Sequence, residues 1–177
     1  LAQSFVVVVQ HPVTSEAAYS HAQMWQTLVA VGRQQAIVLW PGEDAGADEI
    51  SKAIREHHER VGSLHTVRNL PPSRFLRLLS QAACVVGNSS AGIREASYLG
   101  VPVVNIGTRQ HGRERGRNVV DVGHDAAAIR AAIQQQIAHG RYKSSDLYGS
   151  GNTGERIAEV IVGRVTSNTR SATGASA

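Results

Sequence analysis

Short apolar runs alternate with helical segments along most of this chain, and the alternation limits the folds that it can adopt. Residues 5–9 form a run rich in β-branched side chains, as expected of a strand buried on both faces of a parallel sheet. Similar runs lie at 36–40, 64–67, 101–106 and 118–122, and another ends at Val86, while helical spacing covers 16–32, 47–61, 74–81, 126–138 and 153–165. The pattern predicts an α/β fold with a doubly wound, Rossmann-like parallel sheet and a ligand crevice at the carboxyl edge of its strands.

The length and composition fit one domain of ordinary size. Of the 177 residues, 42% are hydrophobic, which is enough for a real core. Because the chain begins at Leu1 rather than Met, we expect a piece of a longer protein, with a domain at 1–165 and a disordered tail at 166–177. No run approaches the ~18 to 20 apolar residues of a membrane span. The lone Cys84 excludes an internal disulfide framework, which suits a reducing cytoplasm.

The positive charge is modest and unevenly placed. The net charge is +4, and its densest part is the loop at 107–117, GTRQHGRERGR. Nucleic acid is one partner that such a loop could bind. However, no helix carries a basic stripe interleaved with aromatic residues, and Phe, Tyr and Trp make up only 5% of the chain, so a compact anion explains the clustering better than a long polyanion does.

A strand-to-helix turn supplies a candidate anion site. The run that ends at Val86 is followed by Gly-Asn-Ser-Ser and then by helical spacing up to Leu99. Free N–H groups at such a turn favour phosphate, so Ser89 and Ser90 are candidates to hold the phosphates of a nucleotide. Glu95, about one turn into the helix, could then accept hydrogen bonds from ribose hydroxyls. The same residues would equally serve as an ordinary capped helix with a solvent-facing Glu.

Two further features fall at the same predicted edge of the sheet. The arginine-dense loop follows the strand at 101–106, and guanidinium groups beside a phosphate-sized turn suit a diphosphate. His11 follows the first strand, and Thr14 or Ser15 could cap the next helix after the extended Pro12. A single His at a strand end can be catalytic or merely structural.

His57 and His58 lie in a charged helix without a third ligand and are predicted to be solvated.

The stretch GNSSAGIREASYLGVPVVNIGTRQHGRERGRNV closely resembles UDP-N-acetylglucosamine 2-epimerases, especially the hydrolysing branch that forms N-acetylmannosamine for sialic acid synthesis. The chain lacks the DSGG-type turn and RDTTERPE-type loop of the non-hydrolysing branch. QHPVT, the DAG at Asp44–Gly46 and YGSGN at 148–152 also resemble elements of the family. The resemblance spans about 11–161 and implies the second of two Rossmann-like domains in a GT-B-type enzyme.

The resemblance also implies roles for individual residues. Arg109 matches the arginine of the family's GTRQ motif and is the preferred leaving-group contact, with Arg113 as the second candidate and His11 near the diphosphate or sugar. The remaining UDP contacts that we expect are Ser89, Ser90, Glu95, Asp44, Gly46 and Phe75. Phe75 could instead be a core residue, and Asp44 and Gly46 could be an ordinary loop. Arg115 and Arg117 are expected to be solvated, and no metal or other cofactor is expected.

The implied activity belongs to a larger protein. The full enzyme would eliminate UDP from UDP-N-acetylglucosamine and add water to the resulting glucal, using acid–base carboxylates of an N-terminal domain that this chain lacks. The chain alone should therefore bind UDP without turnover, and the whole protein is expected to be a cytoplasmic homo-oligomer that binds neither nucleic acid nor membrane. A non-hydrolysing epimerase, a GT-B glycosyltransferase and a non-enzymatic nucleotide-binding module stay open as alternatives.

Overall fold

A computed structural model describes residues 4–62 and 64–173. Its six strands are all parallel and form one sheet in the order β3-β2-β1-β4-β5-β6. They are β1 Val6–Val9, β2 Ala36–Leu39, β3 Leu64–Val67, β4 Cys84–Gly87, β5 Val103–Ile106 and β6 Val119–Val122. The strand order runs outward from β1 in both directions, so the sheet has a topological switch point between β1 and β4. Ligands of open α/β sheets bind in the crevice at such a point.

Helices cover both faces of the sheet, as a doubly wound fold requires. The helices are α1 Ser20–Val31, α2 Ala47–Val61, α3 Pro72–Gln81, α4 Ser90–Ile93, α5 Glu95–Leu99, α6 Ala126–His139 and α7 Thr153–Thr173. Val6 and Val8 pack in a core with α1, α2 and α6. Val7 and Val9 pack on the other face with α3, α4 and α5, because alternate side chains of a strand point to opposite faces. The predicted fold class is confirmed.

Two helix predictions need correction. The helix expected at 16–32 begins as a 3-10 helix, Thr14–Tyr19, and becomes α-helical only at Ser20. Neither Thr14 nor Ser15 caps it, since Val13 occupies the N-cap position without a side-chain bond. The helix expected to end at Leu99 is broken at Arg94, whose backbone angles (φ −99°, ψ −71°) separate α4 from α5. The helix dipole at the Ser89 turn is therefore that of one short turn, not of a long helix.

A buried histidine also departs from the sequence pattern. His57 was expected on a solvated face beside His58, but only 3% of it is exposed, and its ring lies edge-on to Trp25 at 5.7 Å between centroids. Burial, together with the nearby His58, lowers the pKa of His57. The α2 helix therefore packs this side chain between helices, because α1 supplies an aromatic surface that the local sequence of α2 does not reveal.

The C-terminal part forms a separate compact unit that begins at Tyr148. It contains turns with positive φ at Gly149 and Gly151 and then α7. This helix continues to Thr173, into the segment whose composition predicts a disordered tail, while residues 174–177 lie outside the described part of the chain. Among residues 4–62 and 64–173, no helix is both long and apolar enough to cross a membrane.

Candidate functional site

The ends of β1 and β4 are joined by a hydrogen-bonded asparagine at the switch point. The Asn88 side chain accepts a bond from the His11 N–H at 2.7 Å and donates one to the His11 carbonyl at 2.8 Å. The Asn88 N–H also donates to the Val9 carbonyl at 3.1 Å. Gly87 makes this close approach possible, because a Cβ there would lie 2.3 Å from the Val9 oxygen and its φ is +128°. These contacts hold the backbone of His11 beside the Ser89 turn.

The loop after β5 is tied to the same asparagine. Gln110 is buried, and its side-chain amide donates to the Asn88 carbonyl at 2.7 Å. Arg109 reaches the same carbonyl through Nη1 at a longer 3.3 Å. The loop therefore lies at the carboxyl end of β4, the strand next to β1, and it carries an exposed guanidinium to the switch point.

A second tie holds this loop on its other side. The Thr108 hydroxyl donates to Oε1 of Glu16 at 2.7 Å, and the Gln23 amide donates to Oε2 of the same carboxylate at 2.6 Å. These two hydrogen bonds, Thr108 first and then Gln23, lower the pKa of Glu16. The carboxylate therefore stays ionised at neutral pH, and hydrogen bonds to an ionised acceptor are stronger than neutral ones.

An open cleft of about 760 Å³ lies beside these groups, and most of the side chains that line it are polar or charged. The residues that line it are Pro12, Val13, Thr14, Ser15, Asp44, Thr108 and Arg109. Asp44 and Arg109 thus place a carboxylate and a guanidinium in one cleft. Such a site can accept hydrogen bonds from hydroxyl groups through the carboxylate and donate hydrogen bonds to an anion through the guanidinium.

His11 directly precedes Pro12 of the cleft lining and is held in a neutral form. Burial is the main cause that lowers its pKa, the positive charge of Arg109 lowers it further, and Asp44 opposes both. The imidazole is therefore uncharged at neutral pH and can either donate or accept a hydrogen bond. Because an incoming anion would favour the protonated form, the charge of His11 can respond to what the cleft holds.

The Ser89 turn lies directly after Asn88. Ser89 caps α4, with its hydroxyl accepting the Ala91 N–H at 3.3 Å, and both Ser89 and Ser90 are half-buried. Glu95 opens α5 and is also half-buried, and its carboxylate makes no hydrogen bond or ion pair to another described residue. A half-buried carboxylate of this kind is available to accept bonds from a ligand's hydroxyls.

Other predicted residues are placed in different ways. Gly46 packs against the segment after His11, since a Cβ would lie 2.6 Å from Ser20 Oγ and 3.0 Å from Pro12 Cβ. Phe75 packs partly into the core on the α3 face and does not line the cleft. Arg113 is exposed in the loop and does not line it either. The residues that line the cleft also do not include Ser89, Ser90, Glu95 and Gly46. The ligand contacts of all the predicted site residues stay predictions.

The expectation for Arg115 is wrong. Its Nε donates to the Asp121 carboxylate on β6 at 3.1 Å, and another of its N–H groups donates to the Gln110 carbonyl at 2.9 Å. The side chain is 24% exposed and braces the loop against the sheet. Sequence reasoning also missed Asn88, Gln110 and Glu16 as parts of the site. Their partners lie 77, 22 and 92 residues away, so no local pattern marks them.

The acidic and histidine side chains of the described residues do not gather into a cluster of metal ligands. Within residues 4–62 and 64–173, no group of three or more His, Cys, Asp or Glu residues is close enough together to hold a metal ion. Among the residues that line the cleft, Arg109 carries the positive charge. An anionic ligand can therefore be bound by guanidinium and backbone donors.

Comparison with known proteins identifies the relatives of this site. Residues 1–162 match the model of the UDP-N-acetylglucosamine 2-epimerase family. A UDP-N-acetylglucosamine 2-epimerase of Neisseria meningitidis is 33% identical over 165 residues, which cover 90% of this chain and 43% of the relative. A hydrolysing UDP-N,N'-diacetylbacillosamine 2-epimerase of Legionella pneumophila is 31% identical over 157 residues, covering 88% of this chain and 41% of the relative. The chain thus spans less than half the length of these relatives.

The structural comparison agrees in fold. The crystal structure of the UDP-GlcNAc 2-epimerase from Neisseria meningitidis bound to UDP-GlcNAc superimposes with a TM-score of 0.71 at 16% sequence identity, covering 90% of this chain and 45% of that one. The likeness in structure shows a common fold, and the family match extends over nearly all of the chain. With a parallel sheet, a polar cleft at its switch point and this match together, the chain belongs to the UDP-N-acetylglucosamine 2-epimerase family.

Proposed function

We propose that this chain is the UDP-sugar-binding domain of a hydrolysing UDP-N-acetylglucosamine 2-epimerase. In that reaction the C1–O bond breaks with its electron pair leaving on UDP, and the C2 proton is removed, which gives a 2-acetamidoglucal. Water then adds across the double bond, with its hydroxyl on C1 and a proton on C2, to form N-acetylmannosamine. The acid and base for these proton transfers are assigned to an N-terminal domain, so the chain alone binds UDP without turnover.

The observation that carries the proposal is the meeting of Arg109 and His11 at the switch point. Burial and then the charge of Arg109 lower the pKa of His11, and Asn88 bonds to both residues. A diphosphate in the cleft would meet one permanent cation and one imidazole that can become a second. Charge on the departing UDP grows as the C1–O bond breaks, and fixed donors aimed at it lower the barrier.

The remaining predicted contacts are proposed to take the following roles. Ser89 and Ser90 supply hydroxyl groups beside the diphosphate, Glu95 binds the ribose, and Asp44 with Gly46 borders the nucleotide. Arg113 is the reserve cation of the loop, and Phe75 would have to contact the uracil through the exposed part of its ring. In the whole protein, the N-terminal domain is proposed to close this cleft. The whole protein is also proposed to be a homo-oligomer.

The hydrolysing outcome is favoured over the non-hydrolysing one by sequence. The Legionella relative is named as a hydrolysing enzyme, and this chain has GNSS and GTRQHGRE where the resemblance places DSGG and RDTTERPE in the other branch. An enzyme that retains UDP returns UDP-N-acetylmannosamine, whereas one that releases UDP yields the free sugar. The second candidate function is therefore the non-hydrolysing epimerase, and it differs in product.

Product analysis separates the two functions. The complete protein that carries this chain is incubated with UDP-N-acetylglucosamine, and the products are followed by NMR. We expect stoichiometric UDP and free N-acetylmannosamine. An equilibrium mixture of two UDP-sugars would instead establish the non-hydrolysing reaction, and transfer of the sugar only when an acceptor is added would overturn the epimerase assignment.

A binding experiment tests the nucleotide site itself. We expect UDP to bind the 177-residue chain weakly, and Glu95→Ala to weaken it by ~1 to 3 kcal/mol, because hydrogen bonds from the ribose to a carboxylate are lost. Titration calorimetry with UDP and with other nucleoside diphosphates measures this. Glu59→Ala, at an exposed position of α2, is the matched control and should bind like the parent. Equal affinities of all three proteins would remove Glu95 from the site.

A further inference from the structure

We propose that Glu16 is a positioning residue for Arg109, acting through Thr108. The proposal rests on the proposed function, because it assigns Arg109 the leaving-group contact. Glu16 itself does not line the cleft. Its carboxylate accepts the Thr108 hydroxyl from across 92 residues of sequence, and Thr108 is the residue that precedes Arg109.

The two neighbours of Arg109 are both anchored, whereas Arg109 is not firmly held by itself. Thr108 is bound to Glu16 at 2.7 Å, and Gln110 is bound to the Asn88 carbonyl at 2.7 Å. The guanidinium makes one long 3.3 Å bond and is otherwise exposed in the cleft. The direction in which Arg109 points is therefore set by the anchors on either side, and the Glu16 anchor is the one that involves a charge.

The Glu16 carboxylate is itself prepared for this role. Gln23 on α1 binds its second oxygen at 2.6 Å, so the carboxylate cannot turn freely when the loop moves. Glu16 belongs to the 3-10 helix Thr14–Tyr19, but its own backbone angles (φ −119°, ψ 17°) lie outside the helical region. With this backbone conformation the Glu16 side chain reaches the loop after β5 and accepts the Thr108 hydroxyl.

The base of the loop is constrained from the opposite side. Gly107 lies against the His124 ring, where a Cβ would come within 2.3 Å of Nε2, and its φ is +72°. The Gly107 N–H also donates to the Val122 carbonyl at the end of β6. Thr108 is thus constrained on one side by the crowded backbone of Gly107 and on the other by its hydrogen bond to the Glu16 carboxylate. Loss of the Glu16 carboxylate removes the hydrogen bond to Thr108 but leaves the Gly107 contacts in place. We therefore expect the loop to become more mobile without unfolding.

The expected effect appears in kcat rather than in KM. Arg109 is proposed to contact charge that develops on the leaving group, and a contact made in the transition state lowers kcat when it is misplaced. In the complete enzyme, Thr108→Val removes the donor hydroxyl at nearly constant volume, and we expect kcat to fall roughly 10-fold, on the scale of a misplaced catalytic group. Thr108→Ser keeps the hydroxyl and should restore most of kcat. Glu16→Ala should resemble Thr108→Val.

A double-mutant cycle distinguishes positioning from general stability. If Glu16 acts through Arg109, Glu16→Ala should cost little further kcat in an Arg109→Lys background, since the geometry that it protects is already lost. A multiplicative loss in the double variant would overturn the proposal, as would full kcat in Thr108→Val. Should Glu16→Ala fail to fold, the Thr108→Val and Thr108→Ser pair still decides the matter.

A readout that needs no turnover separates this inference from the proposed function. Hydrogen exchange of amides 107–111 is measured in the parent, Thr108→Val and Thr108→Ser proteins. We expect faster exchange in the Val variant alone. If the parent enzyme shows no epimerase activity but the exchange pattern holds, the proposed function fails and the loop anchor stands. Equal exchange in all three proteins overturns the anchor whatever the activity.

Discussion

Replacing Asn88 by Ala tests the contact that joins the two central strand ends. The side chain is 1% exposed and makes both hydrogen bonds to the His11 backbone, at 2.7 and 2.8 Å. Without it, one N–H and one carbonyl lose their partners, and each unsatisfied buried group costs ~1 to 3 kcal/mol. Because His11 is only half-buried, water can reach part of this region. We therefore expect Asn88→Ala to lower the free energy of unfolding by about 2 to 4 kcal/mol.

Urea unfolding at neutral pH measures this loss. Asn69→Ala, at an exposed loop position, is the matched control and should change the free energy of unfolding by less than ~0.5 kcal/mol. Asn88→Asp adds a second comparison, because it keeps one acceptor but turns a carboxylate oxygen toward the His11 carbonyl. It should destabilise at least as much as Ala does. An Asn88→Ala protein that unfolds within ~0.5 kcal/mol of the parent would refute the reasoning.

Three further predictions concern charge at the cleft. In the complete enzyme, Arg109→Lys keeps the charge but loses the fork geometry, so kcat should fall roughly 10- to 1000-fold with a smaller change in KM; a raised KM with intact kcat would make Arg109 a ground-state contact instead. The folded-state pKa of His11 lies below its ordinary value because of burial and Arg109, so the unfolded chain binds more protons below about pH 6.5 and stability falls on acidification. Urea midpoints at pH 7.5 and 5.5 should therefore differ less in His11→Gln than in the parent, and equal losses would contradict a neutral His11. UDP binding should be unchanged by EDTA, and loss of binding that Mg²⁺ restores would disprove a metal-free site.

Much of the fold was predictable because it follows from local patterns. The β-branched run before His11 and the helical spacing of α2 depend on side chains close together in sequence, and α2 was predicted at its observed bounds, Ala47–Val61. Strand-to-helix alternation then required a parallel sheet, whose carboxyl ends share one edge. The turn at Ser89 and the loop of Arg109 could therefore be assigned to the same edge before any tertiary contact was known.

The sequence by itself determined the elements, their direction and the kinds of side chain at the strand ends. Only the tertiary structure decided which of those ends touch. Strand order placed β4 beside β1, which brought Asn88 to the His11 backbone, and the kinked 3-10 helix brought Glu16 to Thr108. It also decided that Arg115 is paired with Asp121. Local periodicity records which face of an element is apolar, whereas a hydrogen bond between residues 77 or 92 positions apart depends on how the whole sheet is assembled.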